Sequence, residues 1–468
     1  MPTLNDVHSR LNPTTVARVE LPANVDEVAA AILRARGEGL SVIACGRRHA
    51  MGGQQFSPDG VVIDTARLTG IDELDRERQT VRAGAGVTWP ELLAWLEREQ
   101  AGDDSPLTFR QKQTGADDLT IGGAVSANAH GRGLSLPPFV SDVESLRLVD
   151  AAGELRTVSR SEAPDLFALV HGGYGLFGVI VDVTVRLAPR GRLVREVEEV
   201  SVDDVVSRLE ARRDEGCTYG DWQFDIDAEG GTLLQRGIMS CYRPLADDEL
   251  RDVPTGQVAL SREGWADLVR LTERSKALAY DAYRSHYSAT TGQVYFTDTH
   301  QLATYLHDYA DLLREVRGLA HDITLMIGEL YVPRDAFPAF AARAGDVIRE
   351  TGAEVLYGTV RLIERDDETV LAWAREPWAC TIFNVVVEDA PGGLERAQAA
   401  FRGLIDAALE HGGSFFLTYH LWASADQVRA AYPRIEEFLE ARRAHDPDGV
   451  FQSAWSRRLE SLLAGVPA

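Results

Sequence analysis

Residues 44–56, ACGRRHAMGGQQF, decide how this chain is read. A strand-like run at 41–45 delivers a loop of Gly46, Arg47, Arg48, His49, Ala50, Met51, Gly52, Gly53 and Gln54. Glycines on either side of a short loop let successive N–H groups converge on an anion, a nest suited to pyrophosphate. Taken alone, the segment reads equally well as a glycine-rich hairpin. A second stretch, TGADDLTIGGAVSANAHGRG at 114–133, sets Gly122, Gly123, Ala124, Ser126 and Ala127 in a run of small residues ending in His130-Gly131. Small side chains over that length suit a backbone laid flat against something large and planar.

Outward from these loops, residues 17–187 alternate short β-branched runs with amphipathic helical stretches, the signature of mixed α/β layers. Asn24 followed by Glu27 marks a helix start, as does Thr88 followed by Glu91. Strands are expected near 61–64, 80–83, 144–149 and 179–187. The literal G-x-G-x-x-G falls at Gly173, Gly175 and Gly178 in HGGYGLFGVIV. A helical stretch (164–170) precedes it and a strand follows, the reverse of a nicotinamide-binding unit. It reads as a plain tight turn or as a place where backbone approaches a cofactor.

Residues 190–290 are acidic and weakly patterned, and no chemistry can be read from them. Between 293 and 422, five strand-like runs (293–299, 324–334, 355–365, 379–389, 414–422) are separated by helical stretches at 336–351 and 393–411, which reads as an antiparallel sheet with helices on one face. Ser424 with Gln427 caps a further helix. The 468 residues carry 48 Lys plus Arg against 72 Asp plus Glu, a net charge of −24 with no basic stripe, so neither nucleic acid nor an anionic membrane is an expected partner. The opening residues lack a signal-peptide pattern and no run of about 18 apolar residues occurs, so the expected location is cytoplasmic. The four cysteines show no C-x-x-C spacing and the eleven histidines no H-E-x-x-H, so no metal site is expected.

Together the motifs resemble the vanillyl-alcohol oxidase / p-cresol methylhydroxylase (PCMH) flavoprotein family. The order matches: strand and G-x-x-H loop, V-V-I-D, A-G-A-G, T-x-G-G-A-x-S-x-N-x-H-G, V-x-G-G-x-G-x-x-G-V-I, and D-P-x-G-x-F near the end. The likeness is strong over 17–190, fainter over 290–460 and absent between. It implies an α+β chain with a two-subdomain FAD-binding domain of the PCMH type at 1–190, a substrate (cap) domain at 191–422, and a segment at 423–468 returning to the first. It also implies that FAD is bound by Gly46, Arg47, Arg48, His49, Ala50, Met51, Gly52 and Gln54, by Thr114, Gly115, Asp118, Thr120, Gly122, Gly123, Ser126, Asn128, His130 and Gly131, and by Gly175, Gly178, Val179 and Ile180. By the same resemblance His49 forms an 8α-histidyl bond to the flavin. No cysteine lies between Thr114 and Gly175 to form a second bond.

On the substrate side, Glu329 shares a strand face with Leu325, Ile327 and Tyr331, so its carboxylate sits on an otherwise apolar face and needs a partner or a purpose. Arg361 lies on one face with Tyr357 and Thr359, and Asn384 with Cys380 and Ile382. The residues themselves fit either catalytic partners or a buried structural Glu–Arg pair. The resemblance places Glu329 at the active-site glutamate of alditol oxidases, Arg361 at a substrate-side lysine of decaprenylphosphoryl-ribose oxidases, and Tyr419 near a second lysine of both. Glu329, Arg361, Tyr419 and Asn384 are therefore the expected catalytic set, with His420, which faces away from Tyr419, structural. The expected activity is oxidation of an alcohol in a polyol, sugar or hydroxylated small molecule, by hydride transfer to flavin N5 with O2 as acceptor. A dehydrogenase using another acceptor, and a flavin-binding protein without turnover, are the alternatives.

Overall fold

The computed structural model describes residues 1–246, 249, 251–303, 309–390 and 392–466. At the N-terminus β1 (Thr3–Leu4) and β2 (Thr14–Thr15) pair as a short hairpin. β3 (Arg18–Glu20), α1 (Val25–Gly37), β4 (Val42–Cys45) and β5 (Val61–Asp64) follow, with the three strands parallel in the order β3-β5-β4. α1 begins where the Asn24 side chain accepts the Glu27 amide at 3.0 Å. Its Val28, Ala31, Ile32 and Ala35 recur at helical spacing and bury against Val42, Val61 and Ile63.

An antiparallel sheet comes next. It uses β6 (Ile71–Asp75), β7 (Thr80–Gly84), β8 (Leu107–Phe109), β9 (Val143–Val149), β10 (Leu155–Ser159) and β11 (Val179–Pro189), ordered β10-β9-β11-β7-β6 with β8 on the far end of β11. Between these strands run α2 (Trp89–Glu99), whose Thr88–Glu91 box is formed in both directions, α3 (Ile121–Ala127) and α4 (Pro164–Val170). α4 precedes the glycine turn and β11 follows it, so the inverted order read from 171–181 is the one observed.

The second sheet has eight strands ordered β15-β12-β14-β13-β17-β18-β16-β19, every pair antiparallel. Its strands are β12 (Arg192–Ser201), β13 (Tyr219–Phe224), β14 (Arg236–Pro244), β15 (Val294–Phe296), β16 (Ile323–Pro333), β17 (Glu354–Ile363), β18 (Trp378–Glu388) and β19 (Ser414–Phe415). Three of them come from the stretch that looked unpatterned. The reason is visible in β12, where Glu196 and Glu198 face the Arg212 and Arg208 side chains of α5 (Val205–Asp214), so ion pairs replace the apolar alternation that announces a strand. The expectation of helices on one face is incomplete. α5, α9 (Phe337–Thr351) and α10 (Gly393–Glu410) cover one side, while α6 (Arg262–Thr272), α7 (Lys276–Ser288) and α8 (Tyr309–Arg317) pack across the other, where Tyr280 donates to Glu199 at 3.2 Å.

The strand expected at 414–422 stops after two residues. Beyond Phe415 the chain leaves the sheet, and the Leu417 and Thr418 carbonyls take Gln54 Nε2 (2.7 Å) and the Met51 amide (3.1 Å). α11 (Ala425–Ala431) has its Ser424–Gln427 capping box, and α12 (Ile435–His445) and α13 (Ala454–Leu463) end the chain. Between those two helices Phe451 joins β4 as a parallel neighbour: Val42 N donates to Val450 O at 2.7 Å and Gln452 N to Val42 O at 3.0 Å. Among the described residues no helix is long and apolar enough to cross a membrane.

Candidate active site

A cavity of about 600 Å³ lies between the glycine loops of the first sheets and the face of the eight-stranded sheet that α6 and α7 partly cover. Pairing across β17, β18 and β16 fixes what that face presents. Tyr357, Asn384 and Ile327 form one rank, Thr359, Ile382 and Glu329 the next, and Arg361, Cys380 and Tyr331 a third. The alternation read from single strands thus places Glu329, Arg361 and Asn384 on one wall, and all three line the cavity with Tyr419.

Glu329 is 2% exposed. It does not pair with Arg361. Its Oε1 meets His130 Nε2 in a very short contact and accepts the Cys380 thiol at 3.0 Å, and its Oε2 accepts the Tyr419 hydroxyl at 2.9 Å. Burial alone would raise this carboxyl, but the His130 charge and the hydrogen bonds of His130 and Cys380 outweigh it and hold the group down to about 2. Burial, reinforced by the neighbouring carboxylate, pushes Cys380 and Tyr419 well up, so both remain proton donors. The Nδ1 of His130 lies 2.9 Å from the Gly131 carbonyl, which only accepts, so that nitrogen carries a hydrogen.

On the opposite wall Gly46, Arg47, Arg48, His49, Ala50, Met51 and Gln54 line the cavity, with Thr114, Gly115, Thr120, Gly122, Gly123, Ser126 and His130, and Gly175, Gly178 and Ile180. Arg48 has φ 64°, the left-handed conformation that turns neighbouring amides toward one point. Two buried polar atoms on this wall, Thr114 Oγ1 and Gln55 Oε1, have no partner in the protein. At Gly178 (φ 147°) a Cβ would stand 2.8 Å from the Val149 carbonyl, so the backbone there admits only glycine. A glycine cradle with spare hydrogen-bonding atoms and flat, small-residue walls fits FAD. His49 Nδ1 lies 2.6 Å from His8 Nε2, and its Nε2 is 3.0 Å from an Asp118 oxygen without being aligned on it.

Five of the expected cofactor residues stand off the cavity, each for a local reason. The Gly52 amide is turned inward to Gln54 Oε1 at 2.9 Å. Asp118 is half-exposed and reaches back to His49. Asn128 is fully buried and ties Asp366 (2.9 Å) to the Val140 amide (3.0 Å). Gly131 packs against the Lys112 carbonyl, and Val179 turns into the α1 core because Ile180, its neighbour on β11, faces the other way. His420 sits between Phe401 and Trp422 rather than in the cavity. His8, Gln55, Arg132, Tyr174, Arg195, Asp221, Gln223, Tyr283 and Tyr287 also line it without having been singled out. Gln55, Arg132 and Tyr174 lie inside the glycine-rich stretches already quoted, and the others had no signal nearby.

Residues 16–159 match the FAD binding domain family FAD_binding_4. Decaprenylphosphoryl-beta-D-ribose oxidase of Mycolicibacterium smegmatis is 26% identical over 96% of this chain and 95% of its own. Cytokinin dehydrogenase 2 of Oryza sativa subsp. japonica is 35% identical over 39% of this chain and 33% of its own. L-galactono-1,4-lactone dehydrogenase 2 of the same plant is 30% identical over 33% and 26%. The likeness to the two plant dehydrogenases thus covers a third or less of their length. With that cradle facing a buried acid–base cluster, the chain is an FAD-dependent oxidoreductase whose cofactor domain is of the PCMH type.

Proposed function

We propose that the protein oxidises a CH–OH carbon of a polyol, sugar or similar hydroxylated molecule. The observation that carries this reading is the buried Glu329, held by three donors on a sheet face directly opposite the glycine cradle. FAD, when bound, supplies the hydride acceptor. The chain's own residues hold the alcohol against the sheet, and the His130–Glu329 pair takes the hydroxyl proton on its carboxylate as the carbon gives up hydride. Held down to about 2, Glu329 is a weak base near neutrality, and it suffices because the hydroxyl proton becomes strongly acidic as hydride leaves the carbon. Tyr419 and Asn384 complete the polar rim that orients the hydroxyl.

The finer part of the proposal is a covalent link from His49 to the flavin and O2 as acceptor. His49 stands in the first loop with its ring against the cavity and 8% of its side chain exposed. Acid precipitation of the native protein leaves a yellow pellet, and His49→Ala releases the flavin; colourless native pellets would remove the bond. A panel of polyols, aldoses and lactones tests the activity: anaerobic bleaching of the flavin, reversed by air with hydrogen peroxide release, is expected. Bleaching reversed only by a quinone or dye would assign a dehydrogenase, and no bleaching by any of them would leave a binding protein.

A further inference from the structure

The buried guanidinium of Arg361 has no ion-pair partner in contact, although its charge reaches the Glu329 carboxylate from beyond hydrogen-bonding distance. The residue is 6% exposed, its Nε has no hydrogen-bond partner, and among the described residues no carboxylate lies within ion-pair distance of its guanidinium. Glu329 cannot serve, since both of its oxygens are engaged by His130, Cys380 and Tyr419. Asp221, the other carboxylate on the cavity wall, faces Arg132 at 3.6 Å. Beside Arg361 two further buried atoms go unanswered: Thr359 Oγ1 on the same face of β17 and Gln223 Oε1, which pairs with Thr359 across β13.

A guanidinium withdrawn from water without a counter-ion is unfavourable, and its planar fork of N–H donors matches a carboxylate or a phosphate. With a net charge of −24 the molecule as a whole repels anions, so any anion preference must arise locally. We propose that the substrate carries a compact oxyanion, carboxylate or phosphate, and that Arg361 binds it while the His130–Glu329 pair attends to the reacting hydroxyl. This rests on the alcohol-oxidising reading above.

The test uses flavin-loaded protein and three probes on one six-carbon chain: sorbitol, gluconate and sorbitol 6-phosphate. Binding is read at equilibrium from the perturbed visible flavin band, and anaerobic bleaching is followed separately. Gluconate or sorbitol 6-phosphate is expected to bind at least about tenfold more tightly than sorbitol, the better of the two showing whether carboxylate or phosphate is the ligand. Arg361→Gln abolishes that preference, weakening the anions by a larger factor than sorbitol, and Arg361→Lys restores part of it. Because the buried guanidinium has no hydrogen-bonded partner in the free protein, Arg361→Met melts at or above the native temperature.

Equal binding of all three probes, no measurable binding of either anion, or a loss in Arg361→Gln that is the same for sorbitol as for the anions would overturn the proposal. So would a lowered melting temperature in Arg361→Met, which would mean a structural partner, or a shifted flavin reduction potential without any loss of anion preference, which would mean that the charge serves the flavin. Bleaching by neutral polyols alone defeats this inference and upholds the activity. Anion binding without bleaching by any alcohol does the reverse.

Discussion

Glu329→Gln keeps the side-chain volume but replaces the acceptor on which His130, Cys380 and Tyr419 converge. If the His130–Glu329 pair takes the hydroxyl proton, this variant retains its flavin spectrum and loses about 10²-fold in the rate of flavin reduction, measured by anaerobic stopped flow. A purely structural carboxylate would give the opposite result, a lower melting temperature with reduction at the native rate. Glu329 was legible because strand alternation set one acid among Leu325, Ile327 and Tyr331. Its partner was not, because His130 lies 199 positions away in the run of small residues, where the motif suggested only a place beside the cofactor. Of the two readings left open for Glu329 and Arg361, the directly paired one is not formed, because alternation says which side chains share a face and says nothing of which loop folds down onto it.

Among the elements, those with local signatures were read nearly to the residue. The caps at Asn24, Thr88 and Ser424 start helices where their spacing says they should, because the bond that satisfies the first amides is made within four residues. Ser424→Ala is expected to cost about 1 kcal/mol, measured by denaturant unfolding. β12 was illegible since its alternation is written in ion pairs, and the overlong strand at 414–422 failed because distant side-chain and main-chain groups, Gln54 and Met51, compete for its carbonyls. Gly86, between β7 and α2, gives a sharper test of element packing. A Cβ there would stand 2.0 Å from the Thr65 carbonyl oxygen and 3.2 Å from that of Leu68, both main-chain atoms that cannot swing aside. Gly86→Ala should cost about 3 kcal/mol and weaken flavin retention, because Thr65 is itself on the cavity wall.

For the whole molecule, pH is the most direct probe. Burial pushes His171 down to about 4 and His420 down to about 3, so both are neutral in the fold at any ordinary pH. A histidine with a lowered folded pKa contributes stability that is complete above its unfolded value near 6.5 and is lost as pH falls from there toward the folded value. At pH 5 each is expected to remove about 2 kcal/mol, so the melting temperature should drop between pH 7 and pH 5. Glu329 adds a second loss only below pH 4.5, continuing down to about 2. A melting temperature that is flat from pH 7 to pH 5 would contradict both histidine assignments.

The loop that begins at Gly46 is propped from far along the chain: Gln54 reaches the Leu417 carbonyl 363 positions away, and Val42 at the loop's base is flanked by Val450 and Gln452. A ribosome releases residue 42 long before it makes residue 450. The nascent chain can therefore pair β3, β4 and β5 early but has nothing to brace the loop that follows them until translation is almost over. Cofactor capture becomes a late, post-translational event, and a chain halted at residue 400 should emerge colourless however much flavin surrounds it.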